Sequence, residues 1–181
     1  KKVLIVNGGP GTGKSVVAIN LLVALTAKKQ VASYVSRNSA PRQVYESKLS
    51  GSMTKTRISS LFKGAGAFVD ARSSDYHTLI VDEAHRLNEK SGIFRNKGEN
   101  QVKEMINASS CSIFFLDEYQ RVTLHDIGSR DEVFKHASAA NAEVTEMSLA
   151  SQFRCNGSDG YLSWIDNTLQ IRDTANETLD D

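Results

Sequence analysis

Gly8-Gly9-Pro10-Gly11-Thr12-Gly13-Lys14-Ser15 is the stretch that decides the fold. It satisfies GxxxxGK[ST] at every position. Glycines let a backbone turn tightly and aim successive N–H groups at one point, where they cradle phosphate oxygens. A helix that begins at such a loop adds the positive end of its dipole. Lysine at the seventh place reaches the β- and γ-phosphates, and the hydroxyl at the eighth ligates Mg²⁺. With glycine near its average frequency of roughly 7%, the pattern arises by chance in about one chain in a hundred or fewer. The flanks reduce that chance further. Lys2–Asn7 reads as a buried strand that glycines end, and Lys14–Lys28 reads as a helix apolar on most faces, so it should pack on a sheet. Gly8 to Ser15 are therefore the nucleotide-binding residues, with ATP and Mg²⁺ as the expected ligands and Lys14 catalytic as well.

Working outward, apolar runs alternate with helical stretches. Strands are expected at Val31–Ser36, Thr78–Val81, Ser112–Leu116 and Val144–Leu149. Helices are expected at Pro41–Leu49, Ile58–Phe62, Glu99–Asn107, Arg130–Ala140 and Ser158–Leu169, the last with Ser158 as its N-cap. This alternation predicts an α/β protein: a parallel sheet with helices on both faces. The polar, acidic tail after Arg172 is expected to be loose.

Asp82 and Glu83 end the third apolar run, Thr78-Leu79-Ile80-Val81. The carboxyl ends of such strands are where α/β sheets bind ligands. Asp82 would hold Mg²⁺ together with Ser15, and Glu83 would orient and deprotonate the attacking water. An acid pair could also be a plain exposed turn; the phosphate loop upstream favours the functional alternative. The fourth strand delivers Asp117 and Gln120 to the same edge, where the Gln120 amide could sense the γ-phosphate or hold water.

The order of phosphate loop, Asp82-Glu83, Asp117-x-x-Gln120 and Ser151-Gln152-Phe153-Arg154 resembles the superfamily 1 helicases. Leu116 stands where that superfamily usually has glycine. The Ser-Ala-Thr motif that superfamily 2 needs after the fourth strand is missing. More narrowly, Gly98-Glu99-Asn100-Gln101, Asp126-Ile127-Gly128-Ser129 and the run Gln152 to Tyr161 resemble the Schlafen group 3-like DNA/RNA helicase domains over nearly the whole chain. The resemblance implies a RecA-like P-loop NTPase, a three-layer α/β/α fold with a mainly parallel five-stranded sheet in the order 5-1-4-3-2. It implies a first motor domain over residues 1–150, and in 151–181 the start of the region leading to a second RecA-like domain. It also implies that Arg154 contacts the γ-phosphate, and that Ser36, Arg37, Asn38 and Arg42 are nucleic-acid contacts.

The Arg37–Lys63 segment holds six basic residues (Arg37, Arg42, Lys48, Lys55, Arg57, Lys63) against Glu46, net +5, which leaves −4 for the rest of a chain whose total is +1. With Tyr34, Tyr45 and Phe62 nearby, the segment suits single-stranded DNA or RNA. A solvated helix-and-loop face reads equally well.

The remaining signals are ordinary. The hydrophobic fraction of 40% and charged fraction of 24% suit a globular domain. Cys111 and Cys155 form no zinc-like pattern and are expected to be reduced in a cytoplasmic protein. No apolar run is long enough to span a membrane. The opening Lys1-Lys2 leads straight into a strand, so the chain is expected to be a piece of a longer one. His77 and His136 are expected at the surface, and Met105 and Trp164 in packing roles. His85 either links the acid pair to the fourth strand or makes a local hydrogen bond. Two functions remain: the ATP-hydrolysing first motor domain of a DNA/RNA helicase or translocase, weakly active as an isolated fragment, or a P-loop ATPase acting as a nucleotide switch or defence module without unwinding.

Overall fold

The computed structural model describes residues 1–92, 94–121, 123–151, 163–164 and 167–170. The chain runs β1 (Lys2–Gly8), α1 (Lys14–Ala27), β2 (Ala32–Ser36), α2 (Ser39–Leu49), α3 (Lys55–Leu61), β3 (Phe62–Lys63), β4 (Tyr76–Asp82), α4 (Gln101–Ala108), β5 (Ser109–Leu116), α5 (Arg130–Ala139) and β6 (Glu143–Leu149). The sheet order is β3-β2-β4-β5-β1-β6, and every pairing is parallel.

The five expected strands hold the expected order. The sheet nevertheless has six strands rather than five. The extra one is Phe62–Lys63, paired with Tyr34 and Val35 at the outer edge of β2. The short helix expected over Ile58–Phe62 therefore runs instead from Lys55 to Leu61, with Phe62 already extended. Thr54 explains the earlier start, because its side chain accepts the Arg57 N–H and caps the helix.

Alternation along the strands sends successive side chains to two cores. Val3, Ile5, Val35, Leu79, Val81, Phe114 and Leu116 face α4 and α5, where Val102, Met105, Ile106 and Val133 meet them. Val6, Tyr34, Ile80, Ile113 and Phe115 face α1 and α3, through Ala18, Leu22 and Ile58. Hence the molecule has three layers. Helix α1 packs on the sheet as expected, along one stripe. It buries Lys14, Ala18 and Leu22, but Val16 is 65% and Val23 62% exposed, because a single sheet covers only one stripe of a helix.

Helices α2 to α5 each begin with a side-chain cap, from Asn38, Thr54, Asn100 and Ser129. Helix α1 has none. It begins at Gly13 in the left-handed region, φ 84°. The first turn of any helix leaves N–H groups without intrahelical partners, and here no capping side chain competes for them.

Candidate active site

The phosphate loop joins the end of β1 to the start of α1, so its position is fixed by a central strand. Thr12 Oγ1 donates to the Gly9 carbonyl at 2.9 Å and closes the loop on itself. Lys14 is 6% exposed. Its ammonium donates to the carbonyls of Gly8 at 2.6 Å and Gly9 at 2.8 Å, and lies 3.4 Å from Asp117 Oδ2. Sequence reasoning did not foresee that last pairing, which ties the phosphate loop to the strand carrying Gln120.

Asp82 ends β4 and is buried. Its Oδ2 accepts from Ser15 Oγ at 2.6 Å and from the Tyr34 hydroxyl at 2.5 Å, and its Oδ1 from the Glu83 N–H at 3.0 Å. Burial beside this carboxylate keeps the Tyr34 phenol far above its ordinary pKa, so it remains a donor. Ser15 and Asp82 thus supply adjacent hard oxygen donors at the head of the phosphate loop. Mg²⁺ prefers that chemistry when phosphates and water complete its octahedron. The donor set fits the expected ion. Among the described residues, no group of three or more His, Cys, Asp or Glu could hold a metal alone.

Glu83 adopts a left-handed backbone, φ 52° and ψ 42°, and the 3-10 turn Ala84–Arg86 follows it. His85, the middle residue of this turn, is only 1% exposed. Its Nδ1 accepts the Asp117 N–H at 3.3 Å, so Nε2 carries the ring proton and meets Glu83 Oε2 at 3.1 Å. That hydrogen bond holds the Glu83 carboxyl below the usual carboxylate range, against the opposing effect of burial. His85 therefore makes the link from the acid pair to the end of β5. A cleft of about 570 Å³ is lined by Pro10 to Val17, Glu83 and Gln120. The sequence-derived set of Lys14, Ser15, Glu83 and Gln120 is thus gathered round one cavity, with Asp82 beneath it. Leu116, where a glycine was usual, is a fully buried core residue of β5. Arg154 lies outside the described residues, as does most of the helix expected over Ser158–Leu169.

Of the nucleic-acid candidates, Arg37 and Asn38 line one cleft and Ser36 and Arg42 do not. Ser36 is 1% exposed. Asn38 is exposed, and its side chain caps α2 through the Ala40 N–H at 3.0 Å. Arg42 is half-buried against Gly64. Arg37 Nη1 donates to the Arg86 carbonyl at 3.1 Å and to the buried Asp126 carboxylate at 3.0 Å. With the Asn88 amide in its hydrogen-bonding orientation, Arg37 Nη2 also donates to it at 3.2 Å. The aromatic residues of this segment pack on one another: Tyr45 stacks on Phe62 with centroids 5.5 Å apart, and Tyr34 meets both rings. Arg37, Asn38, Asp82, Glu83, Arg86 and Ser15 share a second cleft of about 540 Å³ beside the first.

Cys111 is a free, half-buried thiol, and Cys155 lies outside the described residues. His77 is exposed. His136 is half-buried and meets Glu132 Oε1 at 2.9 Å, so it is not an unpartnered surface group. Among the described residues, no helix is long and apolar enough to cross a membrane.

Fold and site together define a RecA-like α/β domain with a phosphate-loop sequence at the carboxyl edge of its parallel sheet. The chain belongs to the Schlafen group 3, DNA/RNA helicase domain family, whose model matches residues 1–181. No curated protein matches it.

Proposed function

We propose that this domain binds ATP with Mg²⁺ and hydrolyses it as a motor domain of helicase or translocase type. The observation that carries the proposal is the single cleft in which Glu83 and Gln120 face the Pro10–Val17 loop, with Asp82 hydrogen-bonded to Ser15 beneath. In this reading the loop N–H groups and Lys14 bind the triphosphate, moving the ammonium from the Gly8 and Gly9 carbonyls onto phosphate oxygens. Ser15 and Asp82 would hold Mg²⁺, which neutralises charge on the β- and γ-phosphates. Glu83 accepts a proton from water as the water oxygen attacks the γ-phosphorus and the bond to the ADP oxygen breaks. Gln120 orients that water. His85 supports this by donating to Glu83, which keeps the base ionised and aimed.

The test is ATP turnover by the full-length protein, with and without Mg²⁺, single-stranded DNA and RNA. Stimulation by either polymer supports a nucleic-acid motor. Substitution of the exposed Lys48, Lys55 and Arg57 by glutamate should then abolish the stimulation. Arg37 is unsuited to that test because its guanidinium is already engaged with Asp126.

A second reading, a nucleotide switch without unwinding, is favoured by the burial of Tyr34 and Phe62 and by the stacking of the half-buried Tyr45 on Phe62, which takes these rings out of use as stacking platforms. Turnover indifferent to both polymers would support it.

A further inference from the structure

Asp126 lies between Gln120 and α5, outside both clefts that surround Glu83. It is 5% exposed, and its carboxylate meets three partners at once: Arg37, Arg86 and the Thr123 N–H. Oδ1 takes the Arg37 guanidinium at 3.0 Å, while Oδ2 lies 3.3 Å from Arg86 Nε and accepts the Thr123 N–H at 3.0 Å. The backbone of the same loop is pressed onto the turn that follows Glu83. The Ile127 N–H donates to the Leu87 carbonyl at 2.8 Å. A Cβ at Gly128 would lie 1.7 Å from the Ala84 carbonyl oxygen, so only glycine permits this approach.

The turn needs such support. Glu83 is a non-glycine residue at φ 52°, a conformation that costs on the order of 1 kcal/mol or more and persists only where the surroundings hold it. Its immediate successors Ala84, His85 and Leu87 are each at most 1% exposed. They are held by the 126–128 loop on one side and by the sheet on the other. Arg37, which donates to both Asp126 and the Arg86 carbonyl, brings in the segment at the start of α2.

We propose that Asp126 is a positioning residue: it clamps Arg37 and the Glu83–Leu87 turn into one unit, so that the setting of the Glu83 carboxylate depends on where Arg37 sits. The proposal rests on Glu83 being the base of the hydrolysis proposed above. A polyanion that engaged Arg37 would compete with Asp126 for the same guanidinium and be felt at Glu83, through packed groups and without contact to the nucleotide.

The test compares full-length wild type with Asp126→Asn, Gly128→Ala, Arg37→Ala and the Asp126→Asn/Arg37→Ala double variant. The readouts are kcat, KM for ATP, melting temperature and amide exchange at Leu87 and Ile127. Asp126→Asn should lower kcat at least about tenfold with KM within about twofold, since small misplacement of a catalytic group costs rate before binding. Gly128→Ala should do the same, and it replaces Asp126→Asn as the test should that variant not fold. Arg37→Ala should add little once Asp126 is changed. Wild-type kcat in a folded Asp126→Asn protein overturns the proposal. So does a joint change of kcat and KM that tracks lost melting temperature, which marks a merely structural role. If wild type shows no turnover that Glu83→Gln removes, the hydrolysis proposal fails instead. Amide exchange then decides the clamp: Leu87 and Ile127 protection lost in Asp126→Asn supports it, and protection retained overturns it.

Discussion

At the scale of single residues, Tyr34 does the least expected work. Its ring lies in the α1-side core, and its hydroxyl reaches through to Asp82. No motif announces this, since the two residues are 48 apart in sequence. Tyr34→Phe removes one donor from a buried carboxylate and should destabilise the protein by about 1.5–3 kcal/mol, read by urea denaturation. It should also raise the Mg²⁺ concentration needed for half-maximal turnover, because Asp82 loses part of its support. Lys14 carries a related consequence. Its removal strands the Asp117 carboxylate, 1% exposed, without its cation. Lys14→Ala should therefore lose nucleotide binding and also several kcal/mol of stability, about 3–5 by analogy with broken buried pairs, seen as a lower denaturation midpoint. Glu83→Gln is the cleaner active-site control, because Glu83 is half-exposed and its substitute is isosteric.

At the scale of elements, the sequence was readable wherever a periodic run met a chemical punctuation mark. The strand–glycine loop–helix unit is of this kind, and so is Asp82-Glu83 at a strand end. β3 was not readable, because two residues carry no period; its pairing with β2 is set by where α3 stops. Phe62 anchors that edge through Tyr34 and Tyr45. Phe62→Ala should cost about 3–5 kcal/mol, and a thermal melt that loses only a degree or two would show the edge to be dispensable. The pairing of α4 with α5 is polar as well as apolar. Glu132 Oε1 accepts from Asn100 Nδ2 at 2.7 Å and meets His136 Nε2 at 2.9 Å. Burial raises the Glu132 pKa, but hydrogen bonds from His136, Asn100 and Lys135 outweigh it, and the net shift is downward. A carboxyl depressed on folding stabilises above its unfolded pKa, and this is lost as pH falls through the folded one. Wild type should thus exceed Glu132→Gln by about 1 kcal/mol at neutral pH. The gap should close in acid, below the usual glutamate range, and a gap independent of pH would refute the assignment.

At the scale of the whole molecule, the parallel sheet converts sequence distance into proximity. β1, β4 and β5 are adjacent, so the residues that follow them, the phosphate loop, Glu83 and Gln120, converge on one cleft. That convergence was legible in advance, because the resemblance to RecA-like helicase domains implies this strand order and the ligand groups sit at the carboxyl ends of the strands. The basic segment was not. Its charge count is correct, but counting charges cannot reveal that Arg37 is bound to an aspartate 89 residues away, or that the neighbouring aromatics face inward. Asp126 was visible only as part of a phrase, Asp-Ile-Gly-Ser, whose physical purpose emerges from the contact of Gly128 with Ala84.

The measurement that tests the central claim most directly is ATP turnover and ATP binding by the full-length protein beside Glu83→Gln. Wild type should hydrolyse ATP only with Mg²⁺. Glu83→Gln should bind ATP with comparable affinity and turn it over at least about 10²-fold more slowly. Equal turnover by the two proteins, or a wild type that does not bind the nucleotide, would contradict the account.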